Sequence, residues 1–519
     1  MITSSLVVGT RIGLVCPYAL DVPGGVQNHV LGLAGHLLRA GMDVQVLAPG
    51  TADPARLAAA GVPRDRVTSA GPTLPVPYNG SIARVNFGPR ADSRVRRWFA
   101  DHHLDLLHLH EPITPSISLL ALRAATVPVV ATFHTATPRS RTMQLAGTTL
   151  RHLVAKIDAG IAVSATARTV VVQHLGRDAV IIPNGFDHAG FAGRREPAAR
   201  FWTSDDRPRL SYLGRLDEPR KGLDVLLSAL PQLEAELGAL DVAVAGLGRA
   251  ALPKGCRRLG PIDDHDRAAL LASSDVFVAP HRARESFGIV VIEAMTAGAV
   301  VVASGIPAFA ALLGGPADHG RLGYTFPTGD SGALAGAVGA ALAGDRTGIA
   351  RRAAEATRRF DWSVVGCSVE GVYASVLACA SERGTRTAAV LDDLLRRRAQ
   401  TALTLAGQHG HHEVATTARR ALDARTLDAR TLDARTQDAR TLDARTLDAR
   451  ALDAREAAEI SLTLARADAG LDLGELTAEL VLARRLHNDS AGPGARVEMI
   501  DEATVLRVPA ISRVVTGRH

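Results

Sequence analysis

Apolar residues along the first two thirds of the chain come in short continuous runs separated by helix-length stretches. Arg11 to Cys16, Val44 to Ala48, Asp105 to His110, Val127 to Phe133, Gly160 to Val163 and Ala179 to Pro183 form one series. Arg209 to Leu213, Asp241 to Ala245, Val276 to Ala279 and Val300 to Ala303 form another. Runs of this length, bounded by Gly and Pro, predict strands buried on both faces. Between the first two, Val30, Leu33, Ala34, Leu37 and Leu38 recur at helical spacing and stop at Gly41. Strand alternating with helix predicts parallel sheets joined by right-handed crossovers, with ligands beyond the strand C-termini. The punctuation at Asn184-Gly185-Phe186-Asp187 separates the two series and predicts two Rossmann-like domains, 1–184 and 185–362. A helix over 363–380 then ends the αβ region.

Beyond it the pattern changes. From Leu422 to Arg455 a Leu-Asp-Ala-Arg tetrad, with Gln437 in place of one leucine, recurs seven times at a period of five. Five residues turn a helix by about 140°, so the leucines never share a face. The reading is a helical or flexible tail over 381–519, with no chemistry assigned to it.

Composition narrows the class. A chain of 519 residues, 47% hydrophobic, can bury more than one core. Cys16, Cys256, Cys367 and Cys379 have no paired metal spacing, which points to a reduced, cytosolic protein. Met1 to Thr10 lacks the basic and apolar regions of a signal peptide. The apolar stretch from Phe287 to Phe309 is interrupted by Glu293, Gly298, Gly305 and Pro307, so it reads as interior helix and strand rather than a membrane span. A net charge of +6 permits anionic lipid, nucleic acid or phosphorylated substrates without choosing among them.

Candidate chemistry lies at the predicted strand ends. Glu285 and Glu293 stand eight apart after the strand Val276 to Ala279. Ser286 is the predicted N-cap, which puts Glu285 in the loop and Glu293 about two turns into the helix. A helix N-terminus attracts phosphate, and carboxylates beside it suit hydroxyls, so the pattern fits a nucleotide sugar. A solvated loop acid and an exposed helix acid fit the same two residues. Gly24-Gly25 allows a backbone to approach a ligand, or makes an ordinary tight turn. Arg215 and Lys221 follow the strand Arg209 to Leu213, where fixed cations stabilise a leaving diphosphate. His134 ends another strand and faces a sugar or serves as a structural histidine. His108 and His110 show no third ligand at metal spacing, so no metal site is predicted.

Around Glu285 and Glu293 the chain resembles the retaining glycosyltransferases of family 4. Pro17-Tyr18, Asp21-Val22-Pro23-Gly24-Gly25-Val26-Gln27, Pro77-Tyr78-Asn79-Gly80-Ser81, His110-Glu111-Pro112, Asp217 to Gly222 and Glu285-Ser286-Phe287-Gly288 together resemble the actinobacterial phosphatidyl-myo-inositol mannosyltransferases. The likeness spans about Arg11 to Ala378. It implies the GT-B fold, two facing Rossmann-like domains, with the last helix bracing the first. It also implies transfer of mannose from GDP-mannose to the inositol of phosphatidylinositol, with retention, in phosphatidylinositol mannoside biosynthesis. By the same resemblance Gly25, Arg215 and Lys221 meet the diphosphate, and Ile289 and Val290 offer it backbone N–H groups. Glu285 and His134 meet the mannose, Glu293 the ribose, and Tyr18, Gln27, Asn79, Ser81 and Arg84 line the acceptor side.

No tightly bound cofactor is implied, although Mg2+ assisting the donor diphosphate is compatible with it. The implied partners are GDP-mannose, phosphatidylinositol and an anionic membrane surface, with no nucleic acid. The location that follows is cytoplasmic, peripheral on the inner face of the plasma membrane. Arg94, Arg96 and Arg97, with Arg90 before them and Val95, Trp98 and Phe99 adjoining, resemble the family's membrane-docking helix. Two departures stand out: Ala283-Arg284 replaces a glycine pair, and Gly246-Leu247-Gly248-Arg249 lacks the family's acidic residues. Two other readings remain, a related transferase with another donor or acceptor, and a degenerate transferase serving as an interaction scaffold.

Overall fold

The computed structural model describes residues 6–22, 24–78, 81–135, 151–193, 199–204, 206–283, 285–314 and 321–381. The predicted tail and its pentad repeat lie outside the described residues, apart from the residue at 381. In chain order the strands are β1 (Arg11–Val15), β2 (Asp43–Ala48), β3 (Val67–Ser69), β4 (Leu74–Tyr78), β5 (Ser81–Val85), β6 (Leu106–His110), β7 (Val129–Phe133), β8 (Ile157–Ala162) and β9 (Val180–Ile181). They continue with β10 (Arg209–Leu213), β11 (Asp241–Ala245), β12 (Cys256–Gly260), β13 (Val276–Ala279), β14 (Val300–Ser304) and β15 (Tyr324–Phe326). Two parallel sheets result, ordered β3-β2-β1-β6-β7-β8-β9 and β12-β11-β10-β13-β14-β15. The strand order reverses between β1 and β6 and between β10 and β13, and at such switch points the strand ends leave a crevice.

The continuous apolar runs have a simple cause. Each sheet is covered on both faces, so alternate residues enter different cores. Ile12 and Leu14 pack in one core of the first domain while Val15 packs in the other. Tyr212, Val244 and Val278 fill one core of the second, and Leu213, Ala243 and Phe277 fill the opposite one.

The helix Trp362–Ser381 returns to the first domain. Val365, Val369, Val372, Tyr373 and Val376 repeat at helical spacing and are buried with Leu33 and Leu37. Its polar residues fix the register: Glu370 Oε1 lies 2.6 Å from His36 Nε2, and the Tyr373 hydroxyl 2.6 Å from His108 Nδ1. The helix is apolar and long enough to cross a bilayer, but its valine stripe is spent on this core.

The strands missed from sequence are short edges, β3, β12 and β15, and the antiparallel hairpin β4-β5. Leu74-Pro-Val-Pro-Tyr contains two prolines, which only a ribbon at the margin of a fold tolerates.

One buried ion pair stabilises the far side of the first domain. Arg168, fully buried, donates from Nε and Nη2 to the two carboxylate oxygens of Asp178 at 2.6 and 2.9 Å. Asp178→Ala leaves a buried guanidinium without its counter-charge, so a loss of about 3–5 kcal/mol is expected. Chemical denaturation followed by circular dichroism measures it, and a loss of only a few tenths of a kcal/mol would place the guanidinium in water.

Candidate active site

On the second domain, the loops after β10 and β13 touch. Gly222, at φ 70, caps the short 3-10 turn Pro219–Lys221. A Cβ on it would lie 1.8 Å from the Pro280 carbonyl oxygen, so only glycine lets the loops approach this closely. The Arg282 N–H closes the contact by donating to the Arg220 carbonyl at 2.7 Å. Lys221 Nζ thereby reaches Glu285 Oε2 at 2.9 Å. Burial pushes the Glu285 carboxyl up, but Lys221, with His281 and Arg220 behind it, overrides that and holds it down at about 2. Glu285 is therefore an anion with room to accept from hydroxyls as well as from Lys221. Arg215 is held in a fork, Nη2 at 3.1 Å from Asp217 and Nε at 3.2 Å from Glu218, which fixes its head at the end of β10.

The helix after Glu285 starts later than the sequence predicts. Its N-cap is Gly288, at φ 91, not Ser286, and no side chain caps it. Ile289 and Val290 thus become the first two helical residues, and the first bonds accepted by the Gly288 carbonyl come from Val291 and Ile292. The N–H groups of Ile289 and Val290 belong to the uncapped end, where an anion is favoured. Glu293 consequently sits little more than one turn in. It is buried, with Oε1 3.1 Å from Arg267 Nη2, while Oε2 has no hydrogen-bond partner. Burial raises its carboxyl to about 7 against the pull of Arg267. An orphaned acceptor in a buried site fits a hydroxyl donor such as a ribose.

The first domain supplies the other wall. Gly25 is the first residue of the helix Gly25–Arg39, and a Cβ there would meet no protein atom within 4 Å. The space over this helix end is open to a ligand. Tyr18 is half-buried and bridges to Val85 of β5. Gln27 is buried, with Nε2 donating to the Ala19 carbonyl at 3.3 Å, so half of its amide is spent on the loop. Arg84 is exposed, and its carbonyl accepts the Ala19 N–H at 3.0 Å. Ser81 begins β5, whereas Asn79 and Arg284 lie outside the described residues. Arg56 reaches the Asn28 side chain at 2.7 Å; burial lowers its pKa, and the charge of Asp264 from the second domain offsets this only in part. The two rims are thus close enough to interact.

His134 lies at the end of β7, buried, with Nε2 3.0 Å from His110 Nδ1. His29 packs edge-on against both rings. Burial first, and neighbouring histidines second, push His134 well below its ordinary value, so it works as a neutral imidazole. Glu111 fixes the backbone there: its Oε1 accepts the His134 N–H at 2.7 Å and the Thr135 hydroxyl at 2.9 Å. At φ 50 it is the non-glycine residue with positive φ among the described residues, a strained position that the surrounding bonds sustain. Sequence reasoning left out Glu111, His29, Arg56 and Arg267 as site residues. Glu111 stood in the quoted His110-Glu111-Pro112; Arg267 had no signal, because only the folded packing of the helix Asp264–Ala272 pairs it with Glu293.

The basic helix Pro89–Asp101 carries Arg90, Arg94, Arg96 and Arg97 as exposed residues. Val95 and Trp98 face the core and cannot enter a bilayer. Arg94 donates to the Ala70 carbonyl at 3.2 Å, and Arg96 pairs with Asp92 at 2.9 Å, so neither head is wholly available to lipid. Arg97 and Arg90 are exposed, and Leu74, Val76 and Phe87 are large exposed apolar residues on and beside the hairpin β4-β5.

A doubly wound pair of domains with diphosphate-suited helix ends and hydroxyl-suited carboxylates defines a GT-B glycosyltransferase. Residues 23–189 match the Glycosyltransferase Family 4 profile and 207–344 the Glycosyl transferases group 1 profile. Among solved structures, sucrose-phosphate synthase from Thermosynechococcus elongatus is similar in fold, with a TM-score of 0.56 at 19% identity over 71% of this chain and 100% of that one. Anabaena Alr3699/HepE in complex with UDP and glucose gives 0.53 at 22% over 70% and 100%. The chain is 44% identical to the phosphatidyl-myo-inositol mannosyltransferase of Propionibacterium freudenreichii subsp. shermanii, over 70% of this chain and 94% of that protein. It is 45% identical to that of Mycolicibacterium smegmatis, over 70% and 94%. The chain belongs to the phosphatidyl-myo-inositol mannosyltransferase family.

Glu293 offers a test of the expected ribose contact. If a ribose hydroxyl bonds Oε2 it favours the charged carboxylate, so nucleoside diphosphate binding releases a proton below about 7, tightens as pH rises to that value and levels off above it. Calorimetry on either side of that pH is expected to show the step in wild type and its loss in Glu293→Gln.

Proposed function

We propose that the protein transfers mannose from GDP-mannose to the inositol ring of phosphatidyl-myo-inositol, with retention of configuration, at the cytoplasmic surface of an anionic membrane. The observation that carries this reading is the Lys221–Glu285 pair at the uncapped N-terminus of the helix Ile289–Ala297. One cation and two backbone amides suit a diphosphate, and an anion beside them suits sugar hydroxyls. Family membership favours mannose and phosphatidylinositol as the pair of substrates.

In this reading Gly25 and the amides of Ile289 and Val290 receive the diphosphate, Arg215 and Lys221 neutralise it, and Glu293 takes the ribose. As the bond from the anomeric carbon to the diphosphate oxygen breaks, negative charge grows on the leaving group, where the two fixed cations are most effective. The inositol hydroxyl attacks the same face. Its proton passes to a phosphate oxygen of the departing GDP. His134 is a poor proton acceptor, because burial holds its ring neutral, so its part is to hydrogen-bond the mannose near the reacting carbon. Glu111 is an unsuitable nucleophile: Oε1 is committed to the His134 N–H and to Thr135, and burial raises the carboxyl. Direct front-face transfer therefore needs no covalent mannosyl-enzyme. Mg2+ enters only as a counter-ion carried with the donor diphosphate. Tyr18, Gln27, Ser81 and Arg84 form the acceptor side, and Arg97 and Arg90 face the lipid beside Leu74, Val76 and Phe87.

Purified protein incubated with radiolabelled GDP-mannose and phosphatidylinositol vesicles is expected to label the lipid, and Glu285→Ala to abolish it. Binding of GDP-mannose without transfer would instead support another acceptor, and no binding would support another donor or a scaffold. Arg215→Ala is expected to lower kcat by about 100-fold to 1,000-fold with a smaller change in donor affinity, the signature of charge stabilised in the transition state. For membrane binding, replacing Arg97 by Ala is expected to weaken sedimentation with anionic vesicles by about 5-fold, at roughly 1 kcal/mol per basic residue, and to leave neutral vesicles unaffected.

A further inference from the structure

Four histidines converge behind the cleft, and they differ in how their nitrogens are used. His108 is fully occupied, with Nδ1 2.6 Å from the Tyr373 hydroxyl and Nε2 2.7 Å from Thr132 Oγ1. His110 is not, because Nδ1 meets His134 Nε2 at 3.0 Å while its buried Nε2 has no partner. His29 is buried with its Nδ1 unpartnered. One ring nitrogen from each of His29, His110 and His134 lies within 4.8 Å of the other two. Unsatisfied buried nitrogens cost stability, so their clustering calls for a function.

We propose that His29, His110 and His134 form a binding site for a divalent transition-metal ion, Zn2+ foremost, and that its occupancy reorients the His134 ring and slows transfer. Three imidazoles suit Zn2+, and tetrahedral bonds of about 2.0–2.1 Å set ligand nitrogens roughly 3.3–3.4 Å apart, so the His110–His134 pair at 3.0 Å opens slightly while His29, within 4.8 Å, draws in. Coordination through His110 Nδ1 and His134 Nε2 moves the one proton they share onto a distal nitrogen, and the unpartnered His110 Nε2 is free to carry it. The site escaped the sequence because the third and fourth histidines come from the helix Gly25–Arg39 and from the end of β7, not from the His108–His110 strand.

The inhibitory half rests on the transferase reading above, whereas the metal site does not, and the experiment separates them. The full chain, stripped with EDTA, is titrated with Co2+, whose visible ligand-field absorption reports a site of low coordination number, and Zn2+ is then added to displace it. The chain has 18 histidines, including His409, His411 and His412, so the assignment rests on variants. Wild type is expected to give a saturable band lost to Zn2+, and His29→Gln and His110→Gln each to weaken it by about 100-fold or more, as loss of a direct ligand requires. Circular dichroism verifies their folding, and His134→Gln carries the same test if either of these variants fails to fold. No saturable band in wild type, or a band unchanged in the folded variants, overturns the site. In the transfer assay Zn2+ is expected to inhibit with the midpoint of the spectral displacement and EDTA to restore activity. Inhibition at an unrelated midpoint overturns the regulatory role while leaving the spectral result to stand.

Discussion

The active site depends on the contact of two loops at Gly222. The chain comes within van der Waals range of Pro280 only because residue 222 lacks a side chain and accepts a positive φ. That approach sets Lys221 against Glu285. It is an arrangement of opposite charges in a mostly buried place, where the desolvation cost of each ion is offset by the other. The pair joins the end of β10 to the start of the helix Ile289–Ala297, so cation, carboxylate and open helix amides are delivered as one unit. Removing one ion would leave the other uncompensated.

The opposite wall uses a different physics. There the rings are neutral: three histidines are stacked behind a strand end, and a glutamate with a strained backbone holds His134 in place. Charge is concentrated on the wall that the proposed reaction gives to the diphosphate, and neutral rings on the wall it gives to the sugar. Such a division suits a reaction in which the leaving group accepts the proton. The helix Trp362–Ser381 braces this wall from behind, since its Tyr373 bonds His108 and its Trp362 ring packs on His29.

The doubly wound architecture was legible because buried parallel strands leave long apolar runs: β10, β11 and β13 have the bounds their runs predict. Edge strands were not, since β12, Cys-Arg-Arg-Leu-Gly, carries no apolar stripe and owes its pairing to β11. Glu285, Lys221 and His134 were legible as residues that follow predicted strands. Their pairings were not. Ser286 looks like a cap, yet the chain turns once more at Gly288 before helix begins, because that glycine can adopt the φ which Ser286 would resist. The same holds for Arg94, whose helical phase points it outward while its length lets it fold back to Ala70.

The most direct test of the account is a double-mutant cycle on GDP binding with Lys221→Met, Glu285→Gln and the pair together. If the two ions act as one unit, either single change weakens GDP and the double change costs less than their sum, a coupling of about 1–3 kcal/mol. Strictly additive losses would mean that the two residues serve the donor independently, and the central claim would be wrong.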